Sequence, residues 1–93
     1  MVQVIWTRRA LSDITSIRSY VAAFAPRAAE RLAQRLLAAG ESLAVYPDRG
    51  RPVGRSRREL TVVWPYLLRY QLSADRIEIM SVRHGARRRA SVR

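Results

Sequence analysis

The sequence predicts an α+β fold of order β-α-α-β-β-β, an antiparallel sheet with an α-helical hairpin packed on one face. Three observations carry that expectation. Between positions 8 and 45, apolar residues recur at steps of three and four, the spacing of one face of a helix. Between positions 58 and 84, three β-branched and aromatic runs are parted by turn residues. Ala25-Pro26, the join between the two helical stretches, is so short that the helices must run antiparallel. A meander needs one face covered, and the helical hairpin is the only cover available.

Val2-Gln3-Val4-Ile5-Trp6 reads as a short strand whose place in the sheet is open. Thr7 suits an N-cap, because its hydroxyl can accept from an orphan amide of the first turn. Leu11, Ile14, Ile17, Val21 and Phe24 then form the expected apolar stripe of the first helix. Ser12 and Asp13 fall in its first turns, where the helix dipole favours negative charge. Pro26 ends that helix and fits the first position of the next. Ala29, Leu32, Leu36, Ala39 and Leu43 make a narrow seam. Gly40 within it costs about 1 kcal/mol relative to Ala, which predicts a weak last turn.

Tyr46 to Gly54 is turn chemistry throughout. The meander then comprises Leu60–Trp64, Tyr66–Leu72 and Ile77–Arg83, with Ser73–Arg76 as a hairpin turn. The reading is one domain over 1–93: strand 1–6, helical hairpin 8–45, basic loop 46–57, three-stranded meander 58–84 and basic tail 85–93.

Composition narrows the chemistry. Cysteine is absent, so disulfides and thiolate zinc sites are excluded. One histidine, His84, cannot build a histidine-rich metal site, and no cofactor is expected. No run of about 18 apolar residues exists to span a membrane, and the N-terminus does not read as a signal peptide. The expected compartment is the cytoplasm. The chain carries 18 Arg and no Lys, for a net charge of +11. Residues 1–48 contribute +2 of that and residues 49–93 contribute +9. So lopsided a charge suits an anionic partner, and guanidinium favours planar contacts to phosphate and carboxylate.

Several landmarks stand in order. They are Trp6-Thr7, Ala10…Asp13-Ile14…Ile17…Tyr20, Pro26…Ala28-Ala29, Leu43…Tyr46-Pro47, Gly50-Arg51-Pro52, Arg58-Glu59-Leu60, Pro65-Tyr66 with Tyr70, Val82, and His84-Gly85-Ala86-Arg87. This set closely resembles the RelE/ParE toxin superfamily of bacterial toxin–antitoxin modules, from about Val4 to Arg88. The resemblance implies a compact toxin held inactive by an antitoxin. It also implies one of two targets, since RelE-like members cut mRNA on the ribosome and ParE-like members poison DNA gyrase.

RNA cleavage by 2′-hydroxyl attack needs a base, cations for the phosphorane-like charge and an acid for the leaving oxygen. RelE-like nucleases resemble one another in placing an Arg after the tyrosine of the second meander strand, and Lys or Arg at alternate positions of the strand before it. Here those places hold Leu67 and Thr61-Val62-Val63. Arg69 shares the face of Leu67 and could substitute one pleat away, and Arg87 matches the C-terminal Arg. The pattern therefore looks closer to ParE, with gyrase as the expected target and ribosome-dependent mRNA cleavage as the alternative. If the protein is a nuclease, His84, Arg87 and Arg69 are its catalytic candidates. The candidates for target binding are Arg51, Arg58, Glu59, Tyr66, Arg83 and Arg88.

Each candidate also has a structural reading. His84 could be a base or could orient a strand end through a backbone hydrogen bond. Arg58 and Glu59 could form a sheet-edge ion pair worth under about 1 kcal/mol. Tyr66 and Tyr70 share a face and could be core. Trp6 and Trp64 read as core or interface, and the 87–89 arginine run could be a solvated tail. The expected partner is an acidic, partly disordered antitoxin segment that folds on binding to form a hetero-oligomer. A rival class is a plain basic nucleic-acid-binding module, against which stand few aromatic residues, largely in strands, and no helix-turn-helix spacing.

Overall fold

The structure is a computed structural model that describes residues 2–85. Its elements are β1 (Gln3–Trp6), α1 (Arg8–Ala22), α2 (Pro26–Ser42), β2 (Arg51–Gly54), β3 (Arg57–Val63), β4 (Tyr66–Leu72) and β5 (Arg76–His84). The strands form one sheet in the order β1-β5-β4-β3-β2. The helices form the expected hairpin, with α1 packed on β5 and α2 on β3.

Two features of the sheet differ from the expected three-stranded antiparallel meander. The basic loop contains a strand, β2, which pairs antiparallel with β3 from Arg51↔Glu59 to Gly54↔Arg57. Four residues that include Pro52 and Gly54 offer no alternation to read, and a bulge between those two interrupts the register. The second feature is β1, which lies parallel to β5 from Gln3↔Arg76 to Trp6↔Ile79, so the sheet is mixed. Thr7 fixes that placement. Its Oγ1 accepts from the Ala10 amide at 3.1 Å, as an N-cap should. The same hydroxyl lies 2.9 Å from the Ile79 carbonyl oxygen and 3.0 Å from that of Met80, within donating distance of β5.

Helix α1 is rotated relative to the expected stripe. Ala10 and Ile14 are buried and Ile17 and Val21 half-buried, while Leu11 is 47% and Phe24 68% exposed. Ala10, fully buried, takes an inner position in the core cluster. Asp13 lies beyond the first turn, which holds no acid, and its carboxylate serves β5 rather than the dipole. The α2 seam is as expected, with Ala29, Leu36, Ala39 and Leu43 buried and Leu32 half-buried. Full burial of Leu36 and Leu43 contributes about 1.5–3 kcal/mol each.

Gly40 has a reason to interrupt that seam. A Cβ there would run into the Trp6 ring and lie 2.8 Å from Cδ1 of Ile79. Trp6 packs over the glycine and donates its indole N–H to Glu41 Oε2 at 2.9 Å. Leu60, Leu68, Tyr70, Ile77, Ile79 and Val82 complete the core on the helix side of the sheet. The opposite face carries two cross-strand rows, Glu59–Arg69–Ser81 and Thr61–Leu67–Arg83.

Candidate functional site

Strand pairing divides the candidate residues between the two faces of the sheet. Tyr66 opens β4 and His84 closes β5, and the two are cross-strand partners. Their rings meet edge to face, with centroids 5.3 Å apart and planes at 88°. A cleft of about 230 Å³ opens beside them, lined also by Asp13, Ser16, Ile17 and Tyr20 of α1 and by Val82. Asp13 joins helix to strand there. Its Oδ2 accepts the Val82 amide at 2.9 Å and its Oδ1 accepts from Arg9 Nε at 3.1 Å. The cleft thus gathers an imidazole, two phenols, a hydroxyl and a carboxylate at the end of the sheet. Asp13, Ser16 and Tyr20 were not among the sequence candidates. The helical spacing of Asp13, Ser16 and Tyr20 was the signal that could have grouped them on one face of α1.

The other face holds the ionic candidates. Glu59 is buried, with its side chain 1% exposed. Arg69 grips its Oε2 twice, from Nη2 at 2.6 Å and from Nε at 3.1 Å. Arg51, on β2, reaches Oε1 at 3.3 Å with a side chain that is 68% exposed. The sheet-edge Arg58–Glu59 ion pair, one of the two readings of these residues, is not formed between them. Neighbours on a strand point to opposite faces, so Glu59 joins the outer row and Arg58 turns toward the loop before β2. There Arg58 Nη1 donates to the carbonyls of Gly50 at 2.6 Å and Asp48 at 3.1 Å. Arg83 lies in the outer row opposite Leu67. Arg87 and Arg88 lie outside the described residues, as does most of the basic tail.

Tyr70 pins the same loop from the core. Its hydroxyl accepts the Gly50 amide at 2.8 Å and donates to the Pro47 carbonyl at 2.9 Å. Burial holds this phenol above its ordinary pKa of 10.0, with the Gly50 hydrogen bond and the Arg58 charge pulling the other way. Gly50 is a glycine because a Cβ would sit 2.8 Å from the Glu59 carbonyl oxygen. Tyr66 and Tyr70 do share a face, but only Tyr70 is fully buried. Trp64 stands 68% exposed in the β3–β4 turn rather than in the core. Tyr20 and Phe24 are exposed too, and with Trp64 outside β3 the described aromatic residues in strands are Trp6, Tyr66 and Tyr70. Among the described residues, no group of three or more His, Cys, Asp or Glu side chains could hold a metal ion. No described helix is long and apolar enough to cross a membrane.

This architecture is that of a known class of small toxins. The structure described as the chromosomal ParDE TA system from P. aeruginosa superposes with a TM-score of 0.80 over 90% of this chain and 96% of that one, at 24% identity. The family model described as the ParE toxin of type II toxin–antitoxin system, parDE, matches residues 4–89. The chain is 51% identical to Toxin RelE2 of Caulobacter vibrioides over 94% of its own length and 99% of the relative's. It is 42% identical to Putative toxin Y4kP of Sinorhizobium fredii over 86% of its length and 84% of the relative's. The chain therefore belongs to the ParE toxin family of type II toxin–antitoxin systems. A toxin of such a system has an antitoxin as its partner.

Proposed function

We propose that this toxin arrests growth by acting on DNA gyrase, and that it does so without cleaving RNA. The observation that carries this reading is the pairing of Arg69 with Glu59. A nuclease needs cations preorganised over the scissile phosphate and free to contact it. Leu67 occupies one expected cationic place, and Arg69, the nearest substitute, is bound at 2.6 Å to a buried carboxylate. Freeing Arg69 would leave Glu59 buried with less compensation, at a cost of several kcal/mol (about 3–5).

The target-contacting residues are then Tyr66 and His84 at the cleft, together with Arg83, Arg87 and Arg88. Arg51, Arg58 and Glu59 act by holding the basic β2 segment in place. A second reading, ribosome-dependent mRNA cleavage, draws support from the name RelE carried by the relatives and from His84 in the cleft. On that reading His84 is the base and Arg87 the cation. The antitoxin is acidic and folds as it binds, matching the +11 charge of the toxin.

Two assays run side by side decide between the readings. Purified toxin is added to gyrase with supercoiled plasmid, and separately to translating ribosomes with a mapped transcript. Loss of supercoiling or trapped DNA breaks with an intact transcript supports the proposal. Transcript cleavage with unaffected gyrase overturns it.

A further inference from the structure

Strand β2 is the outermost strand of the sheet, and the β2–β3 hairpin concentrates positive charge at that edge. Five arginines and a single acid, Asp48, lie between positions 48 and 58. Arg51, Arg55 and Arg57 are exposed. Arg55 and Arg57 form no ion pair with a described residue. The next acid, Glu59, is buried and held by Arg69, so it offers the edge no surface charge.

The backbone beneath these side chains is fixed at several points. Tyr70 accepts the Gly50 amide, Arg58 donates to the Gly50 and Asp48 carbonyls, and the Ser56 carbonyl accepts the Leu72 amide at 2.7 Å. The tip turns at Ser56, whose φ of 62° is left-handed. Cations on so fixed a frame lose little freedom on binding. Gly54 has no internal reason to be a glycine. A Cβ there would meet nothing within 4 Å, and its φ is not positive. Close approach of a ligand to the backbone is the remaining use of a glycine.

The chemistry of the hairpin selects among anionic partners. A protein interface needs an apolar core within its polar rim. A lipid surface needs apolar side chains that enter the headgroup boundary. Among the described residues, none of the exposed large apolar side chains lies between 49 and 58, and Val53 is half-buried. A single nucleic-acid strand needs aromatic rings for its bases, and this stretch has none. The backbone of a duplex needs none of these. Its phosphates are held by guanidinium and hydroxyl groups, which Arg51, Arg55, Arg57 and Ser56 supply.

We infer that the β2–β3 hairpin is a sequence-independent contact surface for the phosphate backbone of duplex DNA, and that through it the toxin holds the DNA on which gyrase acts. The second half of that statement rests on the gyrase reading proposed above. The network of Tyr70, Arg58 and Glu59 then has a purpose: it presents the three exposed arginines outward as one row.

The test measures binding of the full toxin chain to a fluorescein-labelled duplex of mixed sequence, by anisotropy over a series of salt concentrations, with folding checked by circular dichroism. Wild-type toxin should bind, and more weakly as salt rises. R55A/R57A should lower the slope of log affinity against log salt by about two, one for each phosphate contact. The control R27A/R31A removes as much charge from exposed positions of α2 and should keep the wild-type slope. G54V adds bulk without charge and should bind about tenfold more weakly, because its side chain holds the phosphate off the backbone. In the supercoiling assay, half-inhibition should take about tenfold more R55A/R57A than wild type. Equal slopes for the two double variants, or tighter binding to single-stranded RNA than to the duplex, would overturn the inference. So would a loss by R55A/R57A of affinity for the antitoxin alone, which would make the hairpin a protein-docking surface. If wild-type toxin inhibits gyrase and R55A/R57A inhibits it equally, the inference falls and the gyrase reading stands. If wild-type toxin leaves gyrase untouched but binds the duplex through Arg55 and Arg57, the gyrase reading falls and the DNA surface stands.

Discussion

Glu59 and Arg69 face each other across β3 and β4, with two guanidinium nitrogens on one carboxylate oxygen at 2.6 and 3.1 Å. The pair occupies the outer face of the sheet, away from the helices, and the carboxylate is almost completely buried. Removing Glu59 takes from the largely buried Arg69 guanidinium its carboxylate partner. We expect Glu59→Ala to destabilise the protein by about 3 kcal/mol, since breaking a buried pair strands the surviving charge. Arg51→Ala, which removes the mostly exposed partner, should cost less than about 1 kcal/mol. Urea unfolding of the two variants checks the ranking, and equal losses would contradict it.

Gly40→Ala tests local preference against packing. Helix propensity alone predicts stabilisation by about 1 kcal/mol. The added methyl would strike the Trp6 ring, and overpacking typically costs about 1–3 kcal/mol. We expect net destabilisation with a changed Trp6 environment, read by near-ultraviolet circular dichroism. A more stable variant with an unchanged spectrum would show that the ring yields freely.

Tyr70→Phe removes the hydroxyl that bridges Gly50 and Pro47. Leaving a buried amide without its acceptor costs about 1–3 kcal/mol, and exchange of the Gly50 amide should quicken. The pH dependence has a definite sign. The folded-state pKa of Tyr70 is raised, so the unfolded chain loses this proton first as pH climbs past 10.0. Stability associated with the neutral phenol is intact below pH 10 and is lost as pH rises through the folded value. The alkaline limb of the wild-type stability curve should therefore be steeper than that of Tyr70→Phe. Parallel limbs would rule out this titration as its source.

Asp13→Ala should loosen the end of β5 that carries His84. It removes the acceptor of the Val82 amide, a charge-assisted bond worth about 1.5–3 kcal/mol. Thermal unfolding measures the loss, and toxicity on induced expression should fall because His84 is no longer held against Tyr66. Full toxicity in a loosened variant would separate the cleft from function.

His84→Ala and Arg87→Ala should each relieve growth arrest without altering the folded spectrum. Two fully toxic variants would show that the target is contacted elsewhere.

Much of this fold was legible because its signals are periodic. The α2 seam at Leu36 and Leu43, the alternation of β4 and β5, and the Thr7 cap each follow from local rules. What escaped depends on partners distant in sequence. The rotation of α1 buries Ala10 in the core, a small residue that a stripe of larger ones conceals. Strand β2 exists because β3 supplies its hydrogen bonds, since Pro52 and Gly54 carry no strand preference of their own. The candidate site divided for the same reason. Arg58 and Glu59 are adjacent in the chain, yet the pleat sends one to the loop and the other to Arg69. Arg51 and Arg69 meet on Glu59 only once β2, β3 and β4 are in register.

The parallel seating of β1 against β5 also orders events in time. Ribosomes release a polypeptide from its amino end, so Gln3–Trp6 emerges long before its neighbour Arg76–Ile79 has been translated. Until then β1 has no pairing edge, Thr7 has no carbonyls of Ile79 and Met80 to engage, and His84 does not yet exist. The sheet of this fold therefore closes only once the strand Arg76–His84 has been made.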